Sequence, residues 1–161
     1  MRVGYYGIGV YHPKHGVNTG TIWRSAASLG AAYTFNIGSR FRRECTDTTN
    51  AWCKLPHFEH DSVDLFWDAI PYSCVPVAVE ISDHAEPLET FVHPARAVYV
   101  LGAEDHGIPR STLDRFPHVV SLPGDYCLNV ATAASIVMYD RAAKAGRQSS
   151  RPPVKPEQVA A

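Results

Sequence analysis

The clearest strand of the chain runs directly into a glycine-rich turn, and together they read ARAVYVLGAEDHG from Ala95 to Gly107. The segment Ala95–Leu101 is rich in β-branched and aromatic residues, which favours a buried strand. Gly102 and Gly107 permit a sharp turn and a close approach of the backbone to a ligand. Glu104 follows the strand, where a charged side chain is hard to explain as part of a core. An ordinary surface loop with solvated charges would have a similar sequence.

Further strands and helices alternate on both sides of this segment. The predicted strands are Arg2–Val10, Ala32–Ile37, Val75–Ile81, Ala95–Leu101 and Val119–Leu122, and the predicted helices are Thr19–Leu29, Asp61–Ile70, Ser111–Phe116 and Asn129–Ala145, with a long loop at Ser39–Pro56. The alternation predicts an α/β fold with a mostly parallel sheet and helices on both faces. Ligand sites in such sheets lie at the carboxyl ends of strands, here the loops after Val10, Ile81, Leu101 and Leu122.

The first helix carries a second polar motif, NTGTIWR, from Asn18 to Arg24. Asn18 is a residue type that caps helix N-termini, and Gly30 suits the position after the last turn. Arg24 presents a rigid fork of five donors that fits a phosphate or a carboxylate. Taken alone, this motif is explained as well by a capped helix with a surface arginine.

The third motif reads LPGDYCLNVATAA from Leu122 to Ala134. A strand ends, a short loop follows, and Asn129 opens a helix as its predicted cap. Backbone amides of such a loop and helix start can also cradle a polar ligand. Residues Val130–Met138 are apolar or small on nearly every side, which predicts a helix that is buried all round or covered by a partner chain.

Length and composition indicate one compact domain. The chain has 161 residues, of which 45% are hydrophobic and 19% charged, so a buried core is possible. We expect the domain at residues 1–146 and a disordered tail at 147–161, because the tail holds three prolines and no core segment. The four cysteines form no C-x-x-C pair, and no segment has the length of a signal sequence or a membrane span. We therefore expect a cytoplasmic protein with free thiols and no membrane contact.

The three motifs, in this order, resemble the SpoU/TrmH family of the SPOUT class of RNA methyltransferases. The family pattern is N-x-G-x-x-x-R, then G-x-E-x-x-G, then a segment like LP…CLNVAxAA, and the resemblance covers Val3–Lys144. It implies the SPOUT α/β fold with a C-terminal trefoil knot, a homodimer, and S-adenosylmethionine as cofactor. It also implies methyl transfer to a ribose 2′-OH of RNA, with tRNA as the first expectation, because the shortest relatives modify tRNA.

The resemblance also implies which residues form the site. The cofactor would contact Val79, Glu80, Ile81, Leu101, Gly102, Glu104, Gly107, Leu122, Cys127 and Leu128, and the catalytic residues would be Arg24, Asn18, Glu104 and Asn129. Cys127 stands where many members have serine. Because a thiol is a weaker hydrogen-bond donor than a hydroxyl, this difference matters only if that side chain acts directly.

The family assigns removal of the 2′-OH proton to the arginine of the first motif, here Arg24. A guanidinium stays protonated at ordinary pH, so a better role for Arg24 is to grip an RNA phosphate and stabilise a developing alkoxide. The net charge of −1 counts mildly against RNA binding, so a local patch must supply the positive charge. Basic residues cluster in the first third of the chain, and Phe41 among them could stack on a base. The predicted RNA contacts are Lys14, Arg40, Phe41, Arg42 and Arg43.

Other functions fit less well. In a dinucleotide-binding site the pair Gly7 and Gly9 would be followed by another glycine, but His12 stands there. Cysteines and histidines at 45, 53, 57 and 60 do not have standard zinc spacing, so no metal is expected. A non-catalytic RNA-binding module with the same fold stays open, as does methylation of rRNA or of a base nitrogen.

Overall fold

The computed structural model describes residues 4–38, 54–102, 105–124 and 126–146. Its elements in chain order are β1 (Tyr5–Tyr11), α1 (Gly16–Leu29), β2 (Tyr33–Ile37), β3 (His57–His60), α2 (Val63–Asp68), β4 (Val75–Val79), β5 (Glu86–Pro87), β6 (Arg96–Leu101), α3 (Arg110–Leu113), β7 (His118–Ser121) and α4 (Val130–Lys144). Residues 147–161 lie outside the described ranges, so the division into a domain and a tail stays a prediction.

One sheet organises these elements. Its strand order is β3-β2-β1-β6-β4-β7-β5, and every neighbouring pair is parallel. The carboxyl ends of all strands therefore lie at the same edge, where the sequence predicted the ligand site. The predicted α/β class with a parallel sheet is confirmed, and the trefoil knot stays a prediction.

Helices cover both faces of the sheet, as predicted. On one face α1 and α4 pack over strand residues such as Ile8 and Tyr99, and on the other α2 and α3 pack over Phe35 and Val98. Strands buried on both faces consist of nearly unbroken runs of apolar residues. For this reason β1 and β6 could be predicted from the sequence. The last helix is buried on one side only. Tyr139 and its neighbours on the opposite side are exposed.

Gly7 and Gly9 let the aromatic rings of β2 lie across β1. A Cβ atom at Gly7 would lie 2.2 Å from the Tyr33 ring, and one at Gly9 would lie 2.5 Å from the Phe35 ring. Both distances are far below van der Waals contact. The glycine pair therefore serves packing within the sheet, which explains the presence of both glycines without a dinucleotide site.

Replacing Gly7 with alanine is expected to lower the free energy of unfolding by about 1–3 kcal/mol, because the new methyl group displaces the Tyr33 ring. Chemical denaturation of Gly7→Ala, Tyr33→Leu and the double variant measures the coupling. The double variant should recover part of the loss. Strictly additive losses would contradict this account of the close approach.

Two edge strands were not predicted. Among the described residues, β3 pairs only with β2, and β5, two residues long, pairs only with β7. β3 consists of His57, Phe58, Glu59 and His60, so its polar residues do not give the apolar signal of a central strand. Within the described ranges, no helix has the length and apolar character needed to cross a membrane.

His57 has a structural environment rather than that of a metal ligand. Its ring stacks on Trp23 with 4.7 Å between ring centroids, and its Nδ1 lies 2.9 Å from Thr34 Oγ1. Burial lowers the pKa of His57 to about 4. Cys45 and Cys53 lie outside the described residues, and in the part of the chain that is placed no three His, Cys, Asp or Glu side chains form a metal-binding group.

Candidate active site

A cavity of about 950 Å³ opens at the carboxyl edge of the sheet, between the loops that follow β4, β6 and β7. The first turn of α1 and the start of α4 complete its wall. The residues predicted for the cofactor site line it together: Val79, Glu80, Ile81, Leu101, Gly102, Gly107, Leu122, Cys127 and Leu128. Glu104, also predicted, lies outside the described residues.

The first and third motifs meet in this cavity. Asn129 Nδ2 donates to Asn18 Oδ1 at 3.1 Å, across 111 positions of sequence, and both residues line the wall. Asn129 Oδ1 meanwhile accepts from the backbone N–H groups of Ala131 and Thr132. The predicted cap of α4 is thus confirmed, and the same amide group reaches the first helix.

The predicted cap of the first helix is wrong. α1 begins at Gly16, with His15 as its N-cap, and no side chain of this cap bonds the helix. Asn18 lies inside the first turn, where its N–H donates to the His15 carbonyl. Its side-chain oxygen accepts from Asn129 instead of capping its own helix. Gly30 does end α1 in the left-handed conformation, with φ of 87°, as predicted.

Replacing Asn129 with alanine is expected to lower the free energy of unfolding by about 1 kcal/mol, because two amides at the start of α4 lose their acceptor. Asn129→Asp keeps the acceptor and should retain stability, while it loses the donor to Asn18. Thermal and chemical denaturation compare the two variants. Equal destabilisation by both substitutions would contradict the capping role.

The carboxylate of Glu80 holds two loops together at the cavity wall. Its Oε1 accepts from the Ile81 amide at 3.0 Å, and its Oε2 accepts from the Ile108 amide at 2.8 Å. The loop after β6 is thereby attached to the end of β4. The cavity shape depends on this attachment, because both loops contribute to its wall.

The mouth of the cavity carries three groups that were not predicted as site residues: His15, Asp105 and His106. Asp105 forms an ion pair with Lys14, which joins the loops after β6 and β1. The Lys14 hydrogen bond and charge lower the pKa of the Asp105 carboxyl. His15 and His106 line the same mouth. Their only signal in the sequence was position: His106 lies within the second motif, and His15 lies three residues before the first motif.

An apolar surface lies beside these polar groups. The side chains of Ile81, Tyr126 and Leu128 line the cavity and are 61%, 86% and 46% exposed. Sequence reasoning missed Tyr126. Apolar walls with a few polar groups are typical of small-molecule sites, and this combination fits a ligand with a flat ring and a polar sugar or amino-acid part.

Arg24 is separate from this wall. It is exposed on α1 and is not among the described residues that line the cavity. Six helical residues place it about 9 Å along the axis from Asn18 and roughly 240° around it. The predicted RNA contacts Arg40, Phe41, Arg42 and Arg43 lie outside the described residues, so their grouping stays a prediction.

The fold and the cavity define a class of protein: a parallel α/β protein that binds a small ligand at the carboxyl edge of its sheet. The chain belongs to the SpoU rRNA methylase family, whose model matches residues 7–139. The resemblance found in the three motifs is thereby confirmed. The comparison with curated protein sequences finds no match.

Several solved structures share the fold. One, described as giving insight into 2-OH methylation of C/U34 on tRNA, has a TM-score of 0.78 at 23% identity and covers 91% of this chain and 100% of that chain. The methyltransferase AviRb from Streptomyces viridochromogenes, in complex with AdoMet, has a TM-score of 0.79 at 21% identity, covering 90% of this chain and 59% of that chain. The A. aeolicus TrmH/SpoU tRNA modifying enzyme has a TM-score of 0.77 at 18% identity, and the match covers 96% of this chain and 83% of that chain.

An AdoMet-bound rRNA methyltransferase from Sinorhizobium meliloti is a further neighbour, with a TM-score of 0.77 at 17% identity. The match covers 88% of this chain and 57% of that chain. The chain thus spans a little over half of this larger relative. Two of these neighbours, one of them described as a SpoU methyltransferase, have AdoMet bound, in keeping with the expectation of S-adenosylmethionine as the cofactor.

Proposed function

We propose that the chain transfers a methyl group from S-adenosylmethionine to a ribose 2′-OH of RNA, with tRNA as the first substrate to test. The observation that carries the proposal is the Asn18–Asn129 hydrogen bond in the cavity wall. It unites the first and third motifs beside the residues expected to hold the cofactor. Membership of an RNA methylase family supports the same reaction class.

The cavity fits the parts of the cofactor. Apolar side chains such as Ile81 and Leu128 offer a surface for the adenine, and loop backbone near Gly102 and Leu122 offers amide and carbonyl groups. When bound, S-adenosylmethionine supplies a methyl group on a positively charged sulfur. Asn18 and Asn129 then present amide groups at the part of the wall where the RNA ribose enters.

The proton of the 2′-OH sets the chemical problem. The hydroxyl oxygen develops negative charge as its proton departs, and it then attacks the methyl carbon. The O–C bond forms as the S–C bond breaks, and S-adenosylhomocysteine would leave as the neutral product. The Arg24 guanidinium stabilises that charge and an adjacent RNA phosphate, because it keeps its own proton at ordinary pH. Solvent, or a cavity group such as His15 or His106, takes the released proton.

A homodimer completes this arrangement. Arg24 lies outside the cavity wall of its own chain, on a face of α1 that also presents Val17. The neighbouring helix α4 exposes Ile136 and Tyr139. We propose that a second copy packs on this partly apolar α1–α4 face in a symmetric contact, so that each guanidinium serves the cavity of the other chain.

RNA binding relies on the basic residues predicted in the first third of the chain. We propose Lys14, together with Arg40, Phe41, Arg42 and Arg43, as contacts to phosphates and a base. tRNA is favoured because the chain covers the full length of a neighbour whose description names tRNA. We place the protein in the cytoplasm, in keeping with the free thiols of Cys74 and Cys127.

Methylation of RNA from cells that lack the gene tests the proposal. Purified protein and radiolabelled S-adenosylmethionine should label tRNA, and the labelled position should resist alkaline cleavage, because a 2′-O-methyl group removes the attacking hydroxyl. Label in rRNA instead of tRNA would contradict the proposed substrate. Label on a nucleotide that alkali still cleaves would indicate methylation of the base. Salt-dependent RNA binding without label would favour a non-catalytic RNA-binding module.

A further inference from the structure

Glu80 has an unusual position for a carboxylate that follows a central strand. It comes directly after β4, its backbone N–H still bonds the Val120 carbonyl of β7, and its side chain lies in the cavity wall. The two oxygens each accept one backbone N–H, from Ile81 and from Ile108. The carboxylate is therefore held in place before any ligand arrives.

Two glycines are fitted around this carboxylate. A Cβ atom at Gly102 would lie 2.2 Å from Glu80 Oε2, and one at Gly107 would lie 2.5 Å from the same oxygen. Gly107 also has φ of 61°, a conformation that favours glycine. The G-x-x-x-x-G spacing of the motif from Gly102 to Gly107 thus makes room for the Glu80 side chain, a role the sequence did not reveal.

The held carboxylate retains capacity to bind a ligand. An ionised carboxylate has about four acceptor positions, and the two amide bonds occupy one on each oxygen. A carboxylate at the wall of a partly apolar cavity loses part of its hydration when a ligand covers it, so hydrogen-bond donors on that ligand are needed to offset the loss. The part of S-adenosylmethionine that offers two adjacent neutral donors is its ribose diol.

The neighbouring surface indicates which part of the cofactor comes close. Ile81, next in the chain, lines the cavity with an exposed apolar side chain suited to a purine. The ribose is bonded directly to the purine, so it lies one step from that surface. We propose that Glu80 is a specificity-determining residue that accepts hydrogen bonds from the ribose hydroxyls of the cofactor. The inference rests on the proposed use of S-adenosylmethionine and is independent of the RNA target.

Calorimetric binding of S-adenosylhomocysteine and its 2′-deoxy and 3′-deoxy ribose analogues tests the assignment without any RNA. In the natural chain, loss of at least one hydroxyl should weaken binding about tenfold or more, since the acceptor is charged. In Glu80→Ala the same loss should have little further effect, and in Glu80→Gln an intermediate one. Glu86→Gln is the matched control, because Glu86 is an exposed carboxylate on β5 outside the cavity wall. This variant should lose as much affinity for the deoxy analogues as the natural chain does.

Two results would overturn the assignment. Either both deoxy analogues bind the natural chain as tightly as the parent compound, or the analogue penalty persists in Glu80→Ala. The first measurement needs no variant, so it decides even if Glu80→Ala does not fold. Failure of the proposed function looks different: S-adenosylhomocysteine does not bind at all, or it binds with the expected hydroxyl dependence while no RNA is methylated.

Discussion

Replacing Arg24 with alanine is expected to reduce methyl transfer at least about a hundredfold, because the developing alkoxide loses its positively charged partner. Binding of S-adenosylhomocysteine should remain unchanged, since Arg24 is not among the described residues of the cavity wall. Single-turnover methylation and calorimetric binding separate these two effects. Arg24→Lys should recover only part of the activity, because an ammonium does not reproduce the bidentate fork.

The matched control is Arg115→Ala. Arg115 is also an exposed arginine, but it pairs with Asp64 and is not among the described residues of the cavity wall, so its loss should leave methylation unchanged. Unaltered turnover in Arg24→Ala would contradict the catalytic assignment. Loss of cofactor binding together with activity would instead place Arg24 in the cofactor site.

Mixed dimers test whether Arg24 acts across a dimer contact. Arg24→Ala and Asn129→Ala are each expected to be poorly active alone. When the two chains are combined in one dimer, one cavity has Asn129 from one copy and Arg24 from the other, so activity should return. Absence of recovery in confirmed mixed dimers would show that both residues act from the same chain.

Replacing Arg141 with methionine is expected to lower the free energy of unfolding by about 3 kcal/mol or more. This loss is larger than the one expected for Asn129→Ala. The Arg141 side chain is 2% exposed. Its guanidinium donates to the Pro94 and Ala95 carbonyls and to the Tyr99 hydroxyl at 2.8, 3.1 and 2.9 Å. Methionine fills similar space but removes the donor to the Pro94 carbonyl and the Tyr99 hydroxyl, while the Ala95 carbonyl keeps its bond from the Tyr5 amide. Hydrogen bonds made by a charged group contribute more than those between neutral groups.

The reason for a large effect is that Arg141 belongs to a connected network. The Tyr99 hydroxyl also bonds His93 Nδ1 at 2.6 Å, and His93 Nε2 bonds Asp140 at 2.8 Å. Burial lowers the pKa of His93. The guanidinium further lies over the Tyr6 ring, 4.9 Å from its centroid. The network attaches α4 to the segment before β6, so its loss should loosen the helix that carries the third motif.

Thermal and urea denaturation measure the effect of Arg141→Met. A loss of about 3 kcal/mol corresponds to a Tm decrease of roughly 6–12 °C for a chain of this size. Arg115→Met is the control, because its exposed pair with Asp64 should contribute less than about 1 kcal/mol. Comparable losses in the two variants would contradict the importance of the buried network.

The interior strands and the helix ends were predictable because their signals lie in neighbouring residues. β6 is a continuous run of apolar and β-branched side chains, Gly30 ends α1, and Asn129 caps α4, as expected. The edge strand β3 was missed because it has polar residues and follows a polar stretch of sequence. The Asn18 cap was wrong because the rule considers only the local helix, whereas this side chain bonds a residue 111 positions away.

The alternation of strands and helices was thus enough to predict a parallel α/β protein, and the resemblance of the three motifs added the methylase family and nearly half of the residues that line the cavity. Side-chain partners were decided only by the folded chain: Asn18 with Asn129, Glu80 with the Ile108 amide, and Arg141 with Tyr99. Propensity and periodicity depend on neighbours within a few residues, while these contacts join positions 28 to 111 apart. Strand order brings the first two pairs together, because parallel strands place distant loops at one edge of the sheet. The third pair forms where α4 packs over β6.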